Sequence, residues 1–267
     1  MSLPSFPPLD DIVRVLRTAG CVFAEDEADL LLSAASGPAA LATMVEHRTS
    51  GRPLEHIVGW AAFAGLRIRV DPGVFVPRRR TEFLVQQAVS LTRTHSVVVD
   101  LCCGSGALGA ALAHSVHPIE LHACDIDPRA VRCARANIRA GEGQVNEGQV
   151  YEGDLYAPLP ARLRGRVGVL LANVPYVPTD EIALLPVEAR VHEARIALDG
   201  GADGLDVLRR VAARAERWLA PGGSMLFETS RGQLPTALDI VARGGLEPRT
   251  AVDEDRWATV VIGTKQG

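Results

Sequence analysis

The sequence predicts an α/β protein: a Rossmann-like, doubly wound sheet of seven strands with interleaved helices, preceded by a small helical module and a β-hairpin linker. Three observations carry this reading. From Val97 onward, short β-branched and apolar runs of the parallel-strand type alternate with helical runs. The stretch Val97-Val-Val-Asp-Leu-Cys-Cys-Gly-Ser-Gly-Ala-Leu-Gly109 reads as strand, glycine turn and helix start, the arrangement that cradles a nucleotide-like ligand. Before it, residues 9–50 show only helical spacing.

In that first region Ile12, Val13, Leu16 and Ala19 share one helical face. Ala28, Leu30, Leu31 and Leu32 mark a second helix, and Leu41, Met44 and Val45 a third. Gly20, Gly37-Pro38 and Gly51 punctuate the three. The period then changes. Leu66, Ile68 and Val70 alternate with Arg67 and Arg69, Asp71-Pro-Gly73 supplies a turn, and residues 74–76 resume the strand, which predicts a hairpin across that turn. Arg78, Arg79 and Arg80 follow, either as a solvated linker or as a contact to an acidic or RNA-bearing partner. Thr81 is expected to cap the helix carrying Phe83, Leu84, Val85 and Ala88.

Beyond the glycine turn, residues 121–124 form the second strand of the sheet. Pro128 opens a helix through Val131, Ala134 and Ile138. Glu142-Gly-Gln-Val145 is then repeated as Glu147-Gly-Gln-Val150, a duplication in a surface loop to which no function is attached. Residues 150–152 give a third strand, with Gly153, Asp154 and Leu155 at its carboxyl end, and Val167–Ala172 a fourth. Leu155 belongs either against one face of an adenine ring or in the plain core. The chain continues with Ala197-Leu-Asp-Gly-Gly-Ala-Asp-Gly-Leu205, a long helix to Leu219, the turn Pro221-Gly-Gly223 and a strand over 225–228. A helix over 234–242 and a strand over 258–262 close it.

Gly104, Gly106 and Gly109 also satisfy the spacing of a dinucleotide fingerprint, so other residues must choose the ligand. A pyrophosphate at this turn would meet Asp100 at the strand end, and like charges in a partly buried cleft repel. S-adenosylmethionine carries a sulfonium and an ammonium, and for it Asp100 is attractive. Asp125 ends the next strand about twenty residues on, where a carboxylate accepts hydrogen bonds from both ribose hydroxyls; NAD would be served equally well there.

Composition bounds the rest. At 267 residues the chain holds one large domain plus a small one, or a single large α/β unit, and a 47% apolar fraction suffices for a core. A net charge of -4 argues against a nucleic-acid binder that relies on phosphate neutralisation, so no direct nucleic-acid binding is expected. The five cysteines, Cys21, Cys102, Cys103, Cys124 and Cys133, make no C-x-x-C pair and read as small buried hydrophobes in a reducing cytosol, with no metal site expected. Cys102 and Cys103 sit in the ligand loop itself, which predicts sensitivity to alkylation. No run approaches the ~20 apolar residues that span a bilayer, and the N-terminus lacks a targeting signal, so a soluble, cytoplasmic protein is expected.

The fourth strand ends in Asn173-Val-Pro-Tyr176. An amide or exocyclic amine nitrogen is a poor nucleophile because its lone pair is delocalised. Catalysis comes from holding both N–H hydrogens so that the lone pair points at the methyl group, which is positioning and electrostatics. The Asn173 side-chain oxygen and the Val174 carbonyl are suitable acceptors. Pro175 restricts Val174 to an extended conformation, and Tyr176 can stack on the planar group.

The glycine loop, Asp125, Gly153-Asp-Leu-Tyr156, Asn173-Val-Pro-Tyr176 and residues 197–205 together resemble the HemK/PrmC family of protein-glutamine N5-methyltransferases. Arg52-Pro-Leu-Glu-His-Ile-Val-Gly59 through Phe75-Val-Pro77 is similar to that family's linker, so the resemblance covers most of the chain from about Arg48. It implies a class I S-adenosylmethionine methyltransferase fold. The expected division is residues 1–55 as a helical substrate-recognition domain, 56–80 as the β-hairpin linker and 81–267 as the catalytic domain. It also implies methylation of the glutamine in the Gly-Gly-Gln motif of a peptide-chain release factor, a protein partner. Donor contacts are implied at Cys102, Cys103, Gly104, Ser105, Gly106, Asp125, Leu155 and Asn173, beside Asp100, and the glutamine amide is held by Asn173, Val174, Pro175 and Tyr176.

Three positions depart from the family's pattern. Val174 replaces the first proline of Asn-Pro-Pro-Tyr, Pro77-Arg-Arg-Arg-Thr-Glu82 stands for Pro-Arg-Pro-Glu-Thr-Glu, and Cys102 replaces a loop glycine. They suggest a paralogue and leave other readings open: an amino-group methyltransferase of a nucleic-acid base or another protein, a nicotinamide dehydrogenase, or a donor-binding assembly factor without catalysis.

Overall fold

A computed structural model describes residues 7–139 and 148–267; most of the duplicated Glu-Gly-Gln-Val segment, from Glu142 to Glu147, lies outside the described residues. Helices α1 (Leu9–Thr18), α2 (Ala24–Ala34) and α3 (Pro38–Thr49) pack through Ile12, Leu16, Ala28, Leu31 and Leu41, and the short α4 (Leu54–Val58) adds Leu54, Ile57 and Val58 to the same cluster. Their apolar faces are too narrow to stand alone and bury each other.

The hairpin differs from expectation. Strand β1 (Trp60–Phe63) pairs antiparallel with β2 (Leu66–Arg69), and the turn is Ala64-Gly65, both with positive φ (49° and 78°). That is the dihedral signature of the tight hairpin turns that match strand twist. Asp71-Pro-Gly73 does turn the chain, with the Val74 N–H donating to the Asp71 carbonyl at 3.1 Å. Val74 and Val76 then bury against Ala130 and Cys133 instead of pairing in a sheet. Thr81 does not cap the following helix α5 (Glu82–Leu91); it ends a single 3-10 turn, Arg79–Thr81, and its hydroxyl donates to Glu228 at 2.7 Å.

The main sheet has seven strands in the order β5-β4-β3-β6-β7-β9-β8. They are β3 (Val97–Leu101), β4 (Glu120–Asp125), β5 (Gln149–Glu152), β6 (Val167–Ala172), β7 (Leu219–Glu228), β8 (Glu247–Asp253) and β9 (Ala258–Thr264). Helices α6 (Ala107–Ser115), α7 (Pro128–Arg139), α8 (Val187–His192), α9 (Asp206–Trp218) and α10 (Leu234–Arg243) intervene. Pairings β3 to β7 are parallel, while β9 runs antiparallel to both its neighbours. Two clusters flank the sheet: Val99, Leu101, Leu170, Val211 and Phe227 on one face, Val98, Leu112, Leu121, Leu171 and Ile262 on the other. Strand β8, absent from the ranges read off the sequence, is the polar edge. Among the described residues no helix is long and apolar enough to cross a membrane.

The chain winds from β3 toward β5 on one side and from β6 toward β8 on the other. The direction of winding reverses between β3 and β6, where Leu101 lies opposite Ala172. Ligands of such sheets bind in the crevice outside the carboxyl ends of the strands at this reversal. Both sequence motifs therefore arrive at one place, Cys102 directly after β3 and Asn173 directly after β6.

Candidate active site

A cavity of about 570 Å³ opens at that crevice. Cys102, Cys103, Gly104, Ser105 and Asp125 form one side of it, and Asn173, Val174, Pro175 and Tyr176 another. The linker contributes Phe75, Arg78 and Arg80, and the segment after β6 roofs it with Leu185, Glu188 and Ile196. Asp100, Gly106 and Leu155 are not in its walls.

The loop after β3 is held by backbone bonds. The Cys103 N–H donates to the Cys124 carbonyl at 3.0 Å, and the Gly106 N–H to the Cys103 carbonyl at 2.7 Å. Gly106 has φ 77°, and a Cβ there would sit 3.0 Å from the Ala134 Cβ, so glycine is what lets α6 and α7 approach. Cys102 also has positive φ (54°), a conformation that costs a non-glycine residue about 1–2 kcal/mol and for which glycine is better suited. Burial pushes the Cys102 and Cys103 thiols well up, which works against the expected sensitivity to alkylation.

Asp125 sits at the carboxyl end of β4. Its Oδ2 accepts the Gly104 N–H at 2.8 Å and its Oδ1 the Asp127 N–H at 2.9 Å, so one carboxylate shapes the loop and faces the cavity. Burial raises its pKa, with the two N–H donors pulling the other way. Asp100 lies behind the loop. Its Oδ2 accepts the Gly109 N–H at 3.0 Å, in the first turn of α6, while its Oδ1 is buried without a hydrogen-bond partner among the described residues. Burial pushes its carboxyl from 3.8 up to about 7. Between those values the folded protein keeps a proton that the unfolded chain has released, so this group removes stability as pH rises through the window. Asp100→Asn is therefore expected to gain melting temperature over wild type at about pH 8 and to lose that gain at about pH 5, read by thermal melts of both proteins. Leu155 belongs to the core cluster, and its carbonyl accepts the Cys124 thiol at 2.8 Å.

Asn173 and Tyr176 are fixed from several directions. The Asn173 Oδ1 is buried with no hydrogen-bond partner among the described residues, and Asn173 is one of the residues lining the cavity. The Val174 N–H donates to the Ala172 carbonyl at 2.9 Å, a bond that proline in this place would lack, and Val174 is 3% exposed in the core. The rigidity lost with the family's proline ring is thus replaced by a tight turn and burial. The Gln233 side-chain amide donates to the Tyr176 carbonyl at 2.9 Å and to the Asp203 carbonyl at 3.0 Å. The Gly200 N–H donates to the Val177 carbonyl and the Val177 N–H to the Leu198 carbonyl, so residues 197–205 buttress this loop.

Arg79 and Arg80 are exposed and Arg78 half-buried, but Arg78 and Arg80 are both engaged by carboxylates, so the cluster is not simply a solvated linker. Arg78 lies over Phe75 and pairs with Glu193 at 2.7 Å; the Glu193 carboxylate is fully buried and also accepts the Val76 N–H. Burial pushes the Glu193 carboxyl up and Arg78 pulls it back. Arg80 pairs with Glu228 at 2.7 Å and donates to the Tyr176 phenol. Arg48, on α3, pairs with Glu27 of α2 and with Glu188 of α8, joining the helical module to the roof. Glu188, Glu193 and Glu228 were not among the candidates from sequence. Glu228 alone had a readable signal, a carboxylate at the carboxyl end of an apolar strand, like Asp125.

The cavity fits a donor with a ribose and a cationic sulfur: a carboxylate on the wall, a glycine turn, a second carboxylate beneath it and an unpaired amide oxygen beyond. Residues 65–203 match the family model described as methyltransferase small domain. The chain is 39% identical to a release factor glutamine methyltransferase of Gloeobacter violaceus over 193 residues, 72% of this chain and 66% of that protein. It is 34% identical to one of Geobacter sulfurreducens over 229 residues, 86% of this chain and 78% of that one. In fold it is similar to a methyltransferase from Pyrococcus furiosus, with a TM-score of 0.57 at 17% identity over 76% of this chain and 90% of that one. The chain belongs to the release factor glutamine methyltransferase family, class I enzymes that take their methyl group from S-adenosylmethionine.

Proposed function

We propose that this protein methylates the N5 amide nitrogen of a glutamine in a peptide-chain release factor, in its Gly-Gly-Gln motif. The observation that carries this reading is the Asn173 Oδ1, a buried acceptor with no partner among the described residues, on a residue that lines the same cavity as the donor loop. An unpaired buried acceptor costs about 1–3 kcal/mol, and an amide N–H of the substrate removes that cost.

S-adenosylmethionine supplies an electrophilic methyl group with a neutral thioether as leaving group. Cys102, Cys103, Gly104 and Ser105 bring their backbone against the donor, and Asp125 accepts its ribose hydroxyls. Gly106 and Asp100 support that loop from behind, and Leu155 supports it from the core. Asn173 accepts one amide N–H and the Val174 carbonyl the other, which turns the nitrogen lone pair toward the methyl group. Pro175 fixes the direction of that carbonyl, and Tyr176 bounds the plane of the amide. As the N–CH3 bond forms the S–CH3 bond breaks, and the alkylated nitrogen, then strongly acidic, releases one N–H proton to water, so none of these residues need act as a strong base. Residues 1–55 serve as the substrate-recognition domain, the linker over 56–80 lends Phe75, Arg78 and Arg80 to the cavity wall, and residues 81–267 hold the chemistry. A release-factor acceptor puts the reaction in the cytoplasm, and five free cysteines suit a reducing compartment.

Asp125→Ala is expected to weaken donor binding about tenfold or more, because it deletes hydrogen bonds to a charged acceptor and frees the Gly104 N–H. Calorimetric titration with the donor checks this, and unchanged affinity removes Asp125 from the donor site. The function itself is tested by transfer from labelled S-adenosylmethionine to a purified release factor from the same organism, with mass spectrometry locating the label. Label on the motif glutamine supports the reading. Donor binding with no transfer, or transfer to nucleic acid instead, overturns it.

A further inference from the structure

We propose that Arg80 is a positioning residue for the acceptor: it locks the Tyr176 ring into the orientation that bounds the glutamine amide. The proposal rests on the reading of Tyr176 given above and adds a residue to it. Arg80 emerges from the 3-10 turn Arg79–Thr81 at the end of the linker. Its Nε lies 2.7 Å from Glu228 Oε1, and its Nη2 donates to the Tyr176 hydroxyl. Glu228, 4% exposed at the end of β7, also accepts the Thr81 hydroxyl on its other oxygen at 2.7 Å. The Arg80 guanidinium carbon stands 5.9 Å from the Tyr176 ring centroid.

A guanidinium is a planar fork whose donors diverge in fixed directions. Once Nε is committed to a buried carboxylate, the plane of the fork is set and Nη2 has one direction left, toward the phenol. Arg80 then holds the ring at its hydroxyl, and Gln233 holds the backbone from which the ring projects at the carbonyl. With its backbone and its tip anchored, the two side-chain torsions of tyrosine are narrowed to the rotamer that keeps the hydroxyl on Arg80. Both Arg80 and Tyr176 line the cavity, and the polar partners of Arg80 are Glu228 and Tyr176, whereas the donor loop is held by Asp125 and Cys124. Loss of this grip therefore falls on the acceptor and leaves the donor unaffected.

The test uses Arg80→Lys, Tyr176→Phe and the double variant, with fluorine NMR of protein labelled with 3-fluorotyrosine. The chain has only three tyrosines, so Tyr176→Phe assigns its signal. Lysine keeps a cation for Glu228 but has no rigid fork. The expected result is that Arg80→Lys shifts or broadens the Tyr176 signal and leaves the other two in place. It also raises the acceptor KM about tenfold while donor affinity holds within about twofold. Tyr176→Phe alone raises KM by a similar factor, and the double variant is no worse than Tyr176→Phe, because Arg80 acts through the hydroxyl. An unmoved Tyr176 signal in Arg80→Lys overturns the proposal, as do additive KM losses. Should Arg80→Lys fail to fold, an unchanged KM in Tyr176→Phe overturns it. If the unmodified protein transfers no methyl group to a release factor, the functional reading fails, and the fluorine signal alone then decides the role of Arg80.

Discussion

Asn173→Ala is expected to lower methyl transfer by about a thousandfold while donor affinity stays within about threefold of wild type. The asymmetry follows from position. The donor loop hangs on β3 and β4 through bonds among Cys103, Cys124, Gly104 and Asp125, none of which involves Asn173. Its side-chain oxygen has no protein partner among the described residues to lose, so the substitution removes only what the acceptor would use. The stability change should be small or favourable, because an unpaired buried oxygen disappears. Single-turnover assays with calorimetry of donor binding check both halves. Unaltered turnover would remove Asn173 from the mechanism.

The second large effect is expected from a residue that touches neither ligand. Gly204→Ala places a methyl group where the Tyr176 carbonyl oxygen and the Gln233 amide nitrogen already are, at a backbone φ of 76°. The strained conformation and the overlap together cost about 2–5 kcal/mol, a fall in melting temperature of about 5–15 °C for a chain of this size. The relief available is to push Tyr176 and its loop toward the cavity, so transfer falls about a hundredfold as the acceptor is displaced. Gly222→Ala is the control. It has nearly the same φ, 74°, with nothing within 4 Å of the added atom, and should lose about 1–2 kcal/mol of stability and no activity.

Legibility in the sequence tracked how local the determining interactions are. Strand Val167–Ala172 and the helix carrying Val131, Ala134 and Ile138 were readable because burial on a regular period leaves a regular pattern. Asn173 was readable because it follows that strand directly. The hairpin turn was misplaced because Ala64-Gly65 lacks the Asn or Asp that usually announces such a turn, whereas Asp71-Pro-Gly73 announces one that joins no strands. Edge strand Glu247–Asp253 escaped because its charged and polar residues blunt the alternation. The arginine cluster was opaque for a different reason: its partners are elsewhere in the chain, Glu193 lying 115 residues from Arg78 and Glu228 lying 147 from Thr81. No local pattern encodes a contact that only the closed sheet creates.

The Arg48 clamp has a consequence for how the molecule holds together. Arg48, with only 10% of its side chain exposed, faces Glu27 on one side and Glu188 on the other. The Glu27 pair is internal to the module, while the Glu188 pair that crosses to the roof ends in a carboxylate 44% exposed, and a pair so open to water contributes about 0.2–1 kcal/mol. Arg48 thus sets the register of the helical module on the cavity roof, since the same guanidinium that Glu27 orients from within the module meets Glu188 across the gap. Glu193, gripping Arg78 and the Val76 N–H, ties the same roof to the linker. The roof is therefore gripped from two sides, by the module through Arg48 and by the linker through Arg78, so its placement over the cavity is set by residues far from it in sequence.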